Sequence, residues 1–281
     1  MSTREKGSKH EMLPNLEVYH VRPGTNVSLD NVPSRQGDSS FKAEAKKRTG
    51  GLQEELKQLL DKLYATRERA VLIVLQAMDA AGKDSTIRRC FGPLNPQRVT
   101  TSSFRQPSRC ERRHDYLWRI HMCAPKTGTI GIFNRSHYEA VLIEKVKEIV
   151  PVARIEKRYN HLNAFEHMLA DEGTTVLKFY LHVSKAYQKK RLERRLRRPD
   201  KLWKFSKNDV PERRYWNDYM RAYEELFSRC STNHAPWFVV PSERRWYRDL
   251  VITEILVRTM RSLDPGYPQS TIDPDSITIP D

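Results

Sequence analysis

Residues 77–86, AMDAAGKDST, set one lysine and two aspartates around a small-residue turn, directly after the apolar run 71–75. The turn resembles the Walker A pattern GxxxxGK[ST], in which backbone N–H groups and the start of the next helix cradle phosphate oxygens. Ala81 and Gly82 keep the turn small enough for close backbone approach, and Lys83 supplies a compact positive charge. Two positions depart from the pattern. Ala77 stands where its first glycine is usual, and Asp84 stands where a Ser or Thr usually meets magnesium. An alanine serves there unless the backbone needs positive φ. From this window alone, an ordinary strand-to-helix turn with a surface lysine is the alternative. Asp79 argues against it, because a carboxylate aimed at a phosphate site repels its ligand unless a cation lies between them. Magnesium accepts carboxylate and phosphate oxygens together, so Asp79 is the expected metal ligand. Asp84 favours a helix N-terminus by its charge, and Ser85 and Thr86 offer nearby hydroxyls.

A second constellation, IGIFNRSHYE, covers residues 130–139. Asn134 stands where a Walker B acid is expected, and Arg135 follows it at the carboxyl end of an expected strand, where open α/β sheets bind ligands. Such an arginine can stabilise charge on a transferring phosphoryl group. It can equally pair with a structural carboxylate such as Glu139. The segment HDYLWR, 114–119, offers Asp115 and Arg119 to the same rim, with Trp118 expected in the core or at a helix contact. Residues 185–214 hold thirteen Lys or Arg against four Asp or Glu. Between Lys189 and Arg198 the sole acid is Glu193, and cations so dense call for an anion.

These residues need a frame. Five short apolar segments, at 71–75, 99–104, 129–133, 174–183 and 237–240, alternate with helical stretches. That order predicts a parallel sheet with helices on both faces. Leu52, Leu56, Leu59, Leu60 and Leu63 share one helical face and predict a docking helix over 51–64, ahead of the first strand. Residues 1–40 mix Gly, Ser, Asn, Pro and charge without apolar periodicity and read as a flexible arm, open to being tied down locally. The stretch 264–281, with four prolines, reads as an extended tail. There is no internal repeat.

The 281 residues allow one α/β domain with an added module, or two small domains. Four scattered cysteines without a CxxC pair suggest neither zinc nor a disulfide framework. The N-terminus lacks a signal-peptide core, and no apolar run approaches the ~20 residues a membrane helix needs, so a cytoplasmic protein is expected. Fifty Lys and Arg against 35 Asp and Glu leave a net charge of +15, which points to polyanionic partners. Nucleic acid is one such class, but there is no RNA-recognition signature and no dense aromatic platform.

Taken together, AMDAAGKDSTI, HDYLWR, IGIFNRSHYE, NAFEHML, KRLERRLRRPDKLWKFSKNDVPERRYWNDYMRAYEEL and STNHAPWFVVPS resemble the type-2 polyphosphate kinase family over residues 41–263. Within it they look most like the class III branch, where Asn opens the FNRS motif. The resemblance implies a P-loop kinase fold like that of thymidylate kinase: a five-stranded parallel sheet between helices, with a helical lid at about 185–214. It implies reversible transfer of a phosphoryl group between inorganic polyphosphate and AMP, ADP or ATP. It further implies magnesium, for which manganese can substitute, and a homo-oligomer with no dedicated nucleic-acid or membrane partner. Position by position, Asp79 and Lys83 match the loop aspartate and lysine, Arg135 the arginine after the third strand, and Arg191 and Arg195 lid arginines at the reacting phosphates. Arg88, Arg89, Lys201 and Lys204 are implied as polyphosphate-channel residues, and Asn134 as the change that admits the shorter acceptor AMP. The alternative is an ATP-dependent nucleotide or metabolite kinase, which shares the loop and a basic lid.

Overall fold

In the computed structural model, described for residues 14–203, 205–206, 209–273 and 276–280, the chain runs as follows. Strand β1 (His20–Val21) precedes helix α1 (Lys42–Thr66), then come β2 (Ala70–Gln76), α2 (Lys83–Thr86), β3 (Val99–Ser103), α3 (Trp118–His121) and β4 (Ile130–Asn134). Helices α4 (Glu139–Val146) and α5 (Val152–Asp171) lead to β5 (Thr174–His182). A helical segment of α6 (Lys185–Leu196), α7 (Pro199–Leu202) and α8 (Asp209–Glu212) follows. Helix α9 (Trp216–Cys230), β6 (Trp237–Pro241) and α10 (Arg245–Ser262) complete the order.

The sheet order is β1-β6-β5-β2-β4-β3, with β1 antiparallel to β6 and the other pairings parallel. Every residue of β2 is buried, as a central strand covered on both faces requires. Its register sets Leu75 beside Asn134 on one side and Phe179 on the other. From β2 the chain moves outward to β3, returns to β4, and then crosses to β5 on the far side. The direction of winding therefore reverses beside β2, where ligands bind in this architecture. All five parallel strands expected from the apolar segments are present; β1 is an added sixth.

Helix α1 extends further than the leucine pattern alone suggested, and buries Leu52, Leu56, Leu60 and Leu63 along one stripe. It stops at Arg67, whose φ of 55° turns the chain while its N–H bonds the Leu63 carbonyl. Inside the sheet a fully buried cluster joins β5, α5 and the segment after β4. Lys178 Nζ lies 2.5 Å from Glu166 Oε2, and Tyr138 donates to Glu166 Oε1 at 2.8 Å. His137 Nε2 meets the same oxygen at 2.9 Å. Burial alone would raise the Glu166 carboxyl, but the Lys178 charge and the His137 bond hold it below its ordinary range.

The segment expected as an arm over residues 1–40 is tied down where it is described. Residues 1–13 lie outside the described residues, but from residue 14 onward the segment packs against the body. Tyr19, Val21 and Leu29 are buried, and the Tyr19 hydroxyl meets that of Tyr247 at 2.6 Å. The polar composition conceals this, because the anchoring is done by a few large side chains and by backbone pairing with β6. Tail residues 266–273 and 276–280 are all exposed.

Candidate active site

After β2 the backbone turns through Ala80 at φ 64° and Gly82 at φ 118° before α2 begins at Lys83. Ala77 is not among the positive-φ residues, so the missing first glycine costs the turn no backbone strain. Lys83 folds back over the loop and donates to the Ala77 carbonyl at 2.9 Å. Burial, and then the nearby Arg135 charge, bring its pKa down to about 8, against the pull of Asp79, Glu139 and Asp84. The loop thus holds a cation whose charge a bound phosphate would reinforce.

Arg135 enters from the end of β4 in a left-handed conformation, φ 64°, with its N–H bonded to the Leu75 carbonyl at 3.0 Å. That geometry turns the side chain across to the loop. Its Nη2 donates to Asp79 Oδ1 at 2.7 Å, and its Nη1 lies 3.5 Å from Glu139 Oε2. Burial would lower its pKa, but Glu139 and Asp79 outweigh burial and hold it above the ordinary value. Arg135 thus reaches the loop, and it also pairs with the i+4 carboxylate. Glu139 is the site residue that sequence reasoning set aside as structural; its helical spacing from Arg135 was the available signal. Beside it, Asn134 donates to Asp84 Oδ1 at 3.0 Å, linking the tips of β4 and α2.

The segment before α9 covers this arrangement. Ser184 caps α6 by accepting from the Tyr187 N–H, and the buried Gln188 donates to the Asp79 carbonyl at 3.1 Å. Arg213 donates in turn to Gln188 Oε1. Arg191 is half-buried, and among the described residues no carboxylate lies within ion-pair distance of it. Burial and then the neighbouring Arg245, with smaller contributions from Arg194 and Arg195, push its pKa down. Arg195, one turn further on, is half-buried as well.

Other expected residues are arranged differently. Ser85 turns its hydroxyl inward to the Gly82 carbonyl at 2.8 Å. Arg88 is exposed, and Arg89 is exposed as well but paired with buried Asp249 on α10. Asp115 Oδ1 accepts from the N–H groups of Leu117 and Trp118 at 2.9 and 3.0 Å, which shapes the turn leading into α3. Arg119 bends back to the Arg105 carbonyl at 2.8 Å and over the Phe104 ring. These contacts of both residues lie within their own segment. Lys201 is exposed and lies 3.3 Å from Asp200, and Lys204 lies outside the described residues.

Among the described residues no three His, Cys, Asp or Glu side chains gather into a ready-made metal cluster. The donor set still suits a hard cation. Magnesium is commonly held by one or two carboxylates, with phosphate oxygens and water completing its shell, and Asp79 and Asp84 flank the loop where those phosphates would lie.

The Polyphosphate kinase 2 (PPK2) family profile matches residues 39–266. The chain is 44% identical to an AMP/ADP-polyphosphate phosphotransferase of Meiothermus ruber, over 94% of this chain and 100% of that one. It is 43% identical to an ADP-polyphosphate phosphotransferase of Rhodopseudomonas palustris, over 78% and 80% of the two chains. The crystal structure of Polyphosphate Kinase 2 from Arthrobacter aurescens TC1 superposes with a TM-score of 0.87 at 38% identity, covering 91% of this chain and 93% of that chain. The profile spans the loop, the Arg135 segment and the basic helices alike, and the likeness holds over both sequence and backbone, so this chain belongs to the polyphosphate kinase 2 family.

Proposed function

We propose that this protein transfers the terminal phosphoryl group of inorganic polyphosphate to ADP and AMP, giving ATP and ADP, and that it runs the reaction in both directions. The observation that carries the reading is the convergence of Lys83, Asp79 and Arg135 under a helix bearing the half-buried Arg191, which has no carboxylate partner among the described residues. Two phosphate chains meeting end to end bring concentrated negative charge, and this cleft supplies cations from the loop, from β4 and from the lid.

Phosphoryl transfer needs little covalent help, since positioning and charge neutralisation dominate around a loose transition state. A terminal oxygen of the acceptor attacks the end phosphorus of the donor as the bridging P–O bond to the remaining chain breaks. The acceptor already carries its oxyanion, so no general base is required. Lys83 and the loop N–H groups hold the donor or acceptor phosphates, and Arg135 lies across the transferring group. Arg191 and Arg195 close from above and exclude water, which would otherwise intercept the phosphoryl group. Asp79 would hold magnesium, which when bound supplies positive charge against the phosphate oxygens.

Full-length similarity to a relative named for both AMP and ADP supports the wider acceptor range. Incubation with magnesium, ADP and polyphosphate, followed by luciferase detection, is expected to yield ATP. No ATP above a Lys83→Ala control would end the assignment, and consumption of ATP with indifference to polyphosphate would replace it with an ATP-dependent kinase. AMP as the sole acceptor is expected to give ADP and then ATP by chromatography. The reading also places the protein in the cytoplasm, with its nucleotide substrates, as a homo-oligomer that light scattering would reveal.

A further inference from the structure

We propose that Arg248 is the positioning residue of the phosphate loop, a buried cation that fixes the Ser85 hydroxyl and the Gly82 backbone from behind. Arg248 lies in the first turn of α10, far from the loop in sequence, and is 1% exposed. Its Nε and Nη2 grip Asp249 Oδ1 at 3.0 and 2.6 Å. The remaining nitrogen, Nη1, is left for the loop and donates to Ser85 Oγ at 3.3 Å. Ser85 then donates to the Gly82 carbonyl at 2.8 Å, which also receives the Thr86 N–H and hydroxyl.

Gly82 carries a second mark of this contact. A Cβ added there would stand 2.8 Å from Arg248 Nη1 and 3.0 Å from Ser85 Oγ, so the guanidinium occupies the space a side chain would need. The loop glycine is thus fitted to a cation behind it as well as to a phosphate in front. Arg248 and Asp249 are consecutive residues, and their pairing by itself joins no two elements. What the pairing does is aim Nη1 at the loop. Asp249 takes a second guanidinium from Arg89, leaving two cations on one carboxylate and a net positive charge behind the anion cradle. Arg89 keeps part of its side chain in solvent, whereas Arg248 is buried, so it is the Arg248 side of this charge that is weakly screened toward the loop. Arg248 has no open face with which to touch the ligand, so its action runs through Ser85 and Gly82.

This inference rests on the loop's binding phosphate, and not on which donor is used. The test is calorimetric binding of inorganic tripolyphosphate, with magnesium, to the full chain and to Arg248→Gln, Arg248→Lys, Ser85→Ala and the Arg248→Gln/Ser85→Ala pair. Thermal unfolding of each is followed alongside. Arg248→Gln is expected to weaken binding about tenfold. Ser85→Ala should weaken it several-fold, and the double variant should be no worse than Arg248→Gln, because both act through one bond. Arg248→Lys should recover part of the loss by keeping the charge. Binding by Arg248→Gln within twofold of the parent, or losses that simply multiply in the double variant, would overturn the proposal. If Arg248→Gln does not fold, unchanged binding by Ser85→Ala overturns it instead. A parent chain that binds tripolyphosphate yet makes no ATP from polyphosphate would sink the donor assignment and leave Arg248's role standing. A parent that binds no phosphate chain would sink both.

Discussion

Lys83 lies between opposing fields: burial and Arg135 disfavour its charge, while Asp79, Glu139 and Asp84 support it. With a pKa of about 8, the free protein loses that charge as pH rises through 8, and with it the attraction for phosphate. The rate constant kcat/KM, which reports the free enzyme, is therefore expected to fall about tenfold per pH unit on that limb. A Lys83→Arg variant, charged throughout, should lack the limb even at reduced activity; a pH series of initial rates checks both. Arg135 is the other pivotal side chain. Arg135→Gln removes a cation from the transferring group and leaves Asp79 and Glu139 facing Lys83 without their partner. The turnover number should drop on the order of a thousandfold, and the alkaline limb should move upward because the repulsion on Lys83 is gone.

Among the elements, the segment α6–α8 is tied to the loop through Gln188, whose amide bridges Arg213 and the Asp79 carbonyl. The latch is neutral on the loop side, so it holds α6 near the cleft without competing for phosphate. Gln188→Ala should raise KM for polyphosphate a few-fold while changing kcat by less than about twofold, since one hydrogen bond contributes about 1 kcal/mol. Steady-state kinetics separate the two. The helices of this segment were legible as a unit because their charge density sets them apart. The sequence could not reveal that Arg198 and Lys201 turn to Asp200 while Arg191 meets no carboxylate among the described residues. Which side of a short helix faces a cleft depends on how the helix is docked, and several arginines share each turn.

At the scale of the whole molecule, the N-terminal segment and the tail behave differently despite similar composition. The first lays Tyr19 against α10 and Val21 against β6, and buries Leu29 where its N–H bonds Glu224 on α9, each buried side chain being worth roughly 1.5–3 kcal/mol. Deletion of residues 1–41 is expected to lower Tm by about 10 °C. Deletion of residues 266–281 should leave it within about 2 °C, as the described tail side chains are exposed; thermal denaturation followed by circular dichroism compares the two. The net charge of +15 acts at this scale too. Raising salt should weaken polyphosphate binding far more than it lowers kcat, because screening acts on association.

The chain of amino acids by itself determined the alternation of apolar strands and helices, the loop with Asp79, Gly82 and Lys83, and the basic segment ahead of the last strand, since each is written in local periodicity or spacing. Only the tertiary structure decided which charges meet. Arg135 reaches Asp79 across 56 positions, Arg89 is claimed by Asp249 across 160, and Asp115 is consumed by its own turn. Ion pairing depends on distances of a few ångströms between segments remote in sequence, and the packing of strands and helices, which no local pattern records, sets those distances.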